Sequence, residues 1–336
     1  MTGFRPTIAQ LRGAVDAELL EWLRDKERAL SHSGPLVSEM SRLLGAGGKR
    51  LRPFFCYWGY RAARGSHAPR IVRASASLEL LHTFAIVHDD IMDQSDERRG
   101  IPTVHALRGV NAALLVGDLA LVLADDMFMA SGFEAPTLAR AFRAYSRMRQ
   151  EVIVGQWLDL DTAFDRIASE DRARLVARLK SGRYSVEEPL AIGACLAGAS
   201  DEFLARLAEF GAPLGEAFQL RDDLLGLFGD RAQTGKPIDS DIREGKHNLL
   251  YAKACSSLSG AERDFFEARW GAPGLTEDEV ECLRDLVESS GARAATEHLL
   301  EQLVAKARAG LAGIEAAEDV GAALEVLVQL STSRGE

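Results

Sequence analysis

The stretch His88-Asp89-Asp90-Ile91-Met92-Asp93 closes a long apolar run with three carboxylates. Residues four apart on a helix share a face, so Asp89 and Asp93 present their side chains one turn from each other. Two like charges so placed repel, and the dipole at a helix C-terminus adds to the penalty. A divalent cation removes the conflict. Hard oxygen donors suit magnesium, which binds through one or two carboxylates together with substrate phosphate oxygens. A second pair occurs in Phe218-Gln219-Leu220-Arg221-Asp222-Asp223-Leu224-Leu225, again inside an apolar helical pattern and followed by Gly229-Asp230. Either motif alone reads equally well as a solvated acidic helix end. Two acidic sites on separate buried helices, however, are able to face each other and clamp one polyanion through several metal ions.

A polyanion also needs cations. Arg98-Arg99 follow the first acidic motif within ten residues. Gly47-Gly48-Lys49-Arg50-Leu51-Arg52-Pro53 reads as a flexible turn entering a helix, with Lys49 and Arg52 three apart and able to point the same way. It is not a Walker loop, since there is no GxxxxGK[ST] and no preceding strand. Lys180-Ser181-Gly182-Arg183-Tyr184 offers an ammonium and a hydroxyl at a helix end, and Lys236 and Lys246 fall on the loop after the second acidic helix. A lone lysine is ordinarily a solvated surface charge. What singles these out is their common position at chain breakers beside acidic helices.

The elements that must carry these groups are helical. Apolar residues recur at three- and four-residue spacing over Leu11 to Leu30, Ile71 to Ile91, Ala112 to Met129, Pro136 to Leu160, Asp171 to Leu179, Val186 to Ala197, Asp201 to Phe228 and Ala292 to Ala312. No alternating segment competes for a strand. Breakers such as Gly45-Ala46-Gly47-Gly48, Gly100-Ile101-Pro102 and Gly271-Ala272-Pro273-Gly274 punctuate the chain without forming an interdomain linker. The pattern predicts one all-α domain over residues 1–336, with about ten or more helices and frayed ends near Met1 and Glu336. The segment Ile71 to Ile91 is apolar over much of its circumference and belongs at the centre of a bundle, where its charges need partners or metal.

A hydrophobic fraction of 47% and a charged fraction of 27% are those of a soluble globular protein, and a net charge of -10 excludes general nucleic-acid binding. Anions must be held by local cations or metal. Cys56, Cys195, Cys255 and Cys282 form no CxxC pair and read as small buried hydrophobes in a reducing compartment. The N-terminal segment has no secretory apolar run, and the most apolar stretch, Asn111 to Ala130, is broken by Asp118, Asp125 and Asp126. The expectation is a cytoplasmic protein without stable membrane insertion.

Taken in order, GGKRLRP at Gly47 to Pro53, LLHTFAIVHDDIMD at Leu80 to Asp93, RRG at Arg98 to Gly100, KSGRYS at Lys180 to Ser185, FQLRDD at Phe218 to Asp223, TGK at Thr234 to Lys236 and REGK at Arg243 to Lys246 make the chain resemble the trans-isoprenyl diphosphate synthases, the polyprenyl synthetase family, over nearly its whole length. The resemblance implies an all-α bundle of the isoprenoid synthase type around a deep central cavity, usually a homodimer, with Mg²⁺ at the cavity mouth, about three ions per active site. Carried onto this chain, it implies metal ligation by Asp89, Asp93 and Asp222, supported by Asp90 and Asp223. Lys49, Arg52, His82 and Arg99 match the site for isopentenyl diphosphate. Arg98, Lys180, Ser181, Gln219, Lys236 and Lys246 match positions contacting an allylic diphosphate. Two departures stand out: Gly226 replaces the last aspartate of the second motif, and Ser181 stands where many relatives carry Thr, keeping a hydroxyl donor.

The implied reaction is head-to-tail prenyl transfer, and helix direction bears on its product. With the diphosphate held at Asp89 and Asp93, residues one turn earlier lie deeper along the growing tail. There Ala85 is small, whereas Phe84 is bulky enough to form part of a floor. In similar enzymes an aromatic five before an uninterrupted DDxxD, with a small residue four before, goes with geranylgeranyl (C20) products. The farnesyl (C15) product and longer chains are the alternatives. A non-catalytic partner subunit and a terpene cyclase are the rival classes. Partner subunits usually lose an acidic motif or the GGKRxRP cations, and cyclases do not need the second diphosphate site that Lys49, Arg52 and Arg99 supply.

Overall fold

A computed structural model describes residues 6–229 and 239–332. Lys236, with Asp230, Thr234, Gly235 and Pro237, lies outside the described residues, as do the chain ends expected to fray. Each long apolar period forms one helix: α1 Ile8–Ala29, α2 Gly34–Gly45, α3 Leu51–Ala62, α4 Pro69–Met92, α5 Val104–Arg108, α6 Val110–Met129, α7 Ala135–Phe164, α8 Glu170–Val176, α9 Glu188–Leu196 and α10 Asp201–Phe228. There follow α11 Ser240–Arg243, α12 Leu249–Ser257, α13 Gly260–Arg269, α14 Glu277–Ser289, α15 Ala292–Ala312 and α16 Glu318–Thr332. Local chemistry fixes several starts. Thr7 with Gln10, and Thr276 with Glu279, form reciprocal capping boxes at α1 and α14. Pro35 and Pro69 occupy first-turn positions, where a missing N–H costs nothing.

Three sequence expectations need correcting here. Glu97–Arg98 (β1) and Ile101–Pro102 (β2) pair as a short antiparallel hairpin, so the chain is not free of strand. Both residues at its tip, Arg99 (φ 55°) and Gly100 (φ 73°), lie in the left-handed region that a two-residue hairpin turn demands. Lys180 and Ser181 are not at a helix end. Ala177–Glu187 is a π-helical stretch joining α8 directly to α9, so the glycine taken as a breaker, Gly182, sits inside it. Cys56, Cys195 and Cys255 are buried as expected, but Cys282 is exposed.

The chain divides into two compact units. The first comprises Met1–Ala144, Pro189–Leu204 and Glu315–Leu327. Its centre is α4, which packs along α6 and against α1 and α3 and buries residues around most of its circumference, among them Ile71, Leu78, Leu81, Phe84 and Val87. The α9 residues of this unit meet α3 backbone to backbone. A Cβ on Gly193 would stand 1.8 Å from the Cys56 carbonyl oxygen, and one on Gly59 would stand 2.2 Å from that of Leu190.

The second unit comprises Tyr145–Glu188, Ala205–Ile314 and Val328–Glu336. Leu220, Leu224 and Leu227 of α10 join Leu249, Leu250, Phe266, Trp270, Val280 and Leu283 in one apolar core. Glycines again set the close approaches. The π-helical stretch lies against α7 at Gly155 and against α10 at Gly182 and Gly215, where an added Cβ would come within 2.4 to 2.8 Å of the facing backbone.

Gly193→Ala is expected to lower stability by about 3 kcal/mol, because main chain on both sides cannot retract as a side chain would. Gly13→Ala, whose added methyl meets nothing within 4 Å, serves as the helix-interior control and should gain a fraction of a kcal/mol, about 0.5. Urea unfolding of the two variants checks the contrast, and equal midpoints would remove the proposed backbone contact.

Candidate active site

In the first unit the acidic end of α4 meets the hairpin and the loop before α3. Asp89 is about half-way to burial, with its side chain 21% exposed, whereas Asp90 is 2% exposed and turns inward. Asp93 caps the helix, its N–H donating to the Asp89 carbonyl at 2.8 Å. The Arg98 guanidinium donates to Asp90 Oδ1 through Nε at 2.7 Å and reaches Asp89 Oδ2 at 3.4 Å. Burial works against the Arg98 charge, but Asp90, then Asp89 and Asp93, hold the guanidinium above its ordinary value. Arg98 is thus tied into the carboxylate cluster.

The neighbouring Arg99 donates to the Gly47 carbonyl, and its guanidinium occupies the space over Gly48, where a Cβ would stand 3.0 Å from both terminal nitrogens. Gly47 and Gly48, at φ 95° and 138°, let the loop bend under it. Arg50 points the other way. It caps α3 from the left-handed region and donates to Asp16 at 2.8 Å, Glu79 at 3.0 Å and the Leu44 carbonyl at 2.7 Å. With Arg50 turned inward, the loop presents Lys49, which is exposed, and Arg52, which is partly buried in the first turn of α3. His82 lies in the same corner. Burial pushes its imidazole well below the ordinary range, and Arg52, Arg99, Arg98 and Arg50 add repulsion, so the ring is neutral at neutral pH. Lys49, Arg52, His82, Arg98 and Arg99 therefore gather in one region with Asp89, Asp90 and Asp93.

In the second unit Asp222 is exposed while Asp223 is buried, the same outward and inward division as Asp89 and Asp90. Gln219 donates to Asp223 Oδ1 at 2.7 Å. Burial drives the Asp223 carboxyl well above its usual range, with Asp241, Asp222 and Asp159 adding repulsion that the Gln219 bond only partly offsets. Lys180 Nζ meets Asp159 Oδ2 at 2.7 Å, and Lys246 Nζ approaches the same oxygen at 3.8 Å. Ser181, beside Lys180, is buried. Gly226 finds an explanation here, because a Cβ on it would stand 2.7 to 3.0 Å from the Asp241 carboxylate. The space left by the missing side chain holds a carboxylate from α11, oriented by Asn248 Nδ2 at 3.2 Å.

These two regions carry motifs that belong together in one family. The polyprenyl synthetase family model matches residues 35–287. The chain belongs to the polyprenyl synthetase family. It is 33% identical to a geranylgeranyl diphosphate synthase of Sulfolobus acidocaldarius, over 91% of this chain and 93% of that protein. It is 35% identical to a geranylfarnesyl diphosphate synthase of Aeropyrum pernix, over 82% and 86% of the two chains. Among solved structures, the geranylgeranyl pyrophosphate synthase of Corynebacterium glutamicum, complexed with isoprenyl diphosphate and magnesium, superposes with a TM-score of 0.94 at 34% identity. The match covers 98% of this chain and 100% of that one.

Three residues of this polyprenyl synthetase escaped the sequence reading. Arg50 was hidden inside a basic run, between an exposed Lys49 and a partly buried Arg52. Its signal was the acidic Glu79 within the long apolar segment Ile71 to Ile91, a buried charge that demands a partner. Asp159, which receives Lys180, sat on a long helix of mixed polarity outside both acidic motifs. Asp241 belongs to α11, a four-residue helix too short to show a period.

Arg50→Met leaves Glu79 buried without its ion-pair partner and is expected to cost about 3–5 kcal/mol. Arg50→Met combined with Glu79→Met should recover part of that loss. Chemical denaturation of the single and double variants reads the difference, and a double variant as unstable as the single one would show that the pair is not the reason for the loss.

Proposed function

We propose that this polyprenyl synthetase is a magnesium-dependent prenyltransferase that condenses isopentenyl diphosphate with an allylic diphosphate to give chiefly geranylgeranyl diphosphate (C20). The observation that carries the reading is the gathering of Lys49, Arg52, His82 and Arg99 beside Asp89 and Asp93 at the end of α4. It provides cations for one diphosphate next to carboxylates suited to a metal-borne second one. The C20 assignment is supported by Phe84 and Ala85 before an uninterrupted motif and by the names of the Sulfolobus and Corynebacterium relatives. The reading also takes residues 1–336 as one synthetase domain.

The donors fit magnesium. Asp89 and Asp93 offer hard oxygens one helical turn apart. Among the described residues no group of three or more His, Cys, Asp or Glu is arranged to hold a metal ion alone. An ion that completes its shell on substrate oxygens and water suits such a site. We assign Asp89, Asp93 and Asp222 to about three ions, with Asp90 and Asp223 as supports. When bound, magnesium neutralises charge on the departing diphosphate. Arg98, Lys180, Ser181, Gln219, Lys236 and Lys246 hold that diphosphate as the allylic C–O bond breaks and the leaving group takes the electron pair. Lys49, Arg52, His82 and Arg99 hold isopentenyl diphosphate so that its double bond attacks the allylic cation, and proximity supplies much of the rate. A proton then passes from the new cation to the released diphosphate, so no side-chain base is required.

A homodimer is part of the reading, supported by Leu115, Val122 and Met129, each exposed and seven apart along α6, with Val110 and Leu114 beside them. So is a cytoplasmic location. No helix among the described residues is long and apolar enough to cross a membrane.

Purified protein given an allylic diphosphate, isopentenyl diphosphate and Mg²⁺ should form C20 product by chromatography, and no elongation at all would overturn the reading. Asp89→Ala should lower turnover at least about a hundredfold, the scale on which one electrostatic stabiliser acts. Wild-type turnover in that variant at saturating Mg²⁺ would remove Asp89 from the site. The two diphosphate sites should separate kinetically. Arg52→Ala should raise KM for isopentenyl diphosphate more than for the allylic substrate, and Lys180→Ala or Lys236→Ala should do the reverse. Equal effects on both substrates in every variant would count against the assignment.

A further inference from the structure

Phe84, offered above as part of the chain-length floor, does not stand alone on α4. One turn toward the acidic motif, the His88 imidazole meets the Phe84 ring edge to face, with ring centres 4.9 Å apart and planes at 69°. His88 is itself held from α6. Its Nε2 lies 3.3 Å from the Leu114 carbonyl oxygen, to which an Nε2–H donates, and 3.7 Å from Asp118 Oδ1. The ring fits because residue 117 is glycine. A Cβ there would stand 2.3 Å from His88 Nε2 and 2.4 Å from Cδ2, closer than real Cβ atoms approach anything. Gly117 is therefore a socket for His88, and His88 closes off one side of the space in which the Phe84 ring can turn.

Neither His88 nor Gly117 has a role in metal or diphosphate binding as assigned above. On the helix, Asp89 and Asp93 share a face with His82 and Ala85, while Phe84 lies on nearly the opposite side and His88 between the two, turned toward α6. A phenylalanine on a helix has two accessible χ1 rotamers that swing its ring by several ångströms. A floor built from one such ring defines tail length only while a neighbour holds it. The imidazole supplies that neighbour, and the α6 carbonyl and the glycine socket fix the imidazole.

We propose that His88 is a positioning residue for product length: seated over Gly117, it buttresses Phe84 and so sets where the growing prenyl tail stops. The proposal rests on the synthase reading, and its test separates the two. With farnesyl diphosphate as primer, His88→Ala is expected to raise the ratio of longer products to C20 by about fivefold or more, on the scale of a lost aromatic pair. Because His88 acts through Phe84, the double variant His88→Ala/Phe84→Ala should match Phe84→Ala alone. His88→Phe, which keeps a ring against Phe84 without the bond to Leu114, should keep the C20 distribution. KM for isopentenyl diphosphate should stay within about twofold of wild type throughout, since an enzyme that had merely lost stability would not change product length selectively. Should His88→Ala not fold, His88→Gln keeps a donor for the Leu114 carbonyl while removing the ring, and the same lengthening is expected. A wild-type enzyme that elongates isopentenyl diphosphate while the folded ring-less variant makes an unchanged product distribution overturns the His88 proposal and leaves the synthase reading standing. A double variant whose products are longer than those of Phe84→Ala overturns it as well, by showing that His88 acts independently.

Discussion

A carboxylate buried at the end of an apolar helix must be neutralised, and the first unit is organised around how this is done for Asp90. The partner is Arg98, bonded through Nε at 2.7 Å. Holding a guanidinium there requires the chain to reverse directly after it, because Arg98 pairs with Ile101 across a two-residue tip. That tip places Arg99 in the left-handed region, at a cost that the ion pair and the hairpin bonds offset. It also aims the Arg99 side chain at the loop before α3, where only glycine at position 48 leaves room. One buried charge thus accounts for the hairpin, the strained arginine and the glycine pair facing it.

The second unit meets the same constraint with a different partner. The partner that the described residues give Asp223 is a glutamine. The carboxyl accepts from Gln219 one turn earlier, a neutral donor that leaves much of the repulsion from Asp241, Asp222 and Asp159 in place. Among the described residues, Lys180 and Lys246 are both directed at Asp159. Lys180 reaches it from a π-helical stretch. Such stretches are rare and recur at functional sites because the extra residue re-aims side chains within an otherwise continuous helix. Glycines at 155, 182 and 215 let neighbouring backbones close around it.

The sequence made the helices legible wherever an apolar period ran for several turns. Ile71 to Ile91 was expected and Pro69–Met92 is found, and Asp201 to Phe228 coincides with α10. The hairpin was not legible, since two residues per strand are too few to show alternation and the turn signal Gly100 served equally as a helix breaker. The π-helical stretch was missed because Gly182 looked like a terminus, while packing against Gly215 keeps it inside. At the site, charge types and spacing singled out Asp89, Asp93, Arg52 and Lys180 as candidates for chemistry. They did not show which charges face inward. Arg50 and Lys49 are adjacent and equally basic, and only the positions of Asp16 and Glu79 decide that Arg50 turns to the core.

That division of inward and outward charge explains how a chain of net charge -10 is able to serve anionic substrates. In the first unit Arg50 and Arg98 each bind carboxylates, so their charges are largely cancelled before any ligand arrives. Arg99 is different. Its hydrogen bond is to a backbone carbonyl, which satisfies a donor without cancelling a charge, and burial, with Arg50, Arg98 and Arg52, pulls its guanidinium below the ordinary value although Glu79 partly offsets this. His82 beside it is held neutral, so it adds a hydrogen-bonding ring without adding repulsion. The positive potential is therefore local, and it is held by groups whose positions other ion pairs have already fixed. Such preorganisation lets an acidic protein bind a diphosphate without a basic surface, because the donors need not be reoriented when the ligand enters.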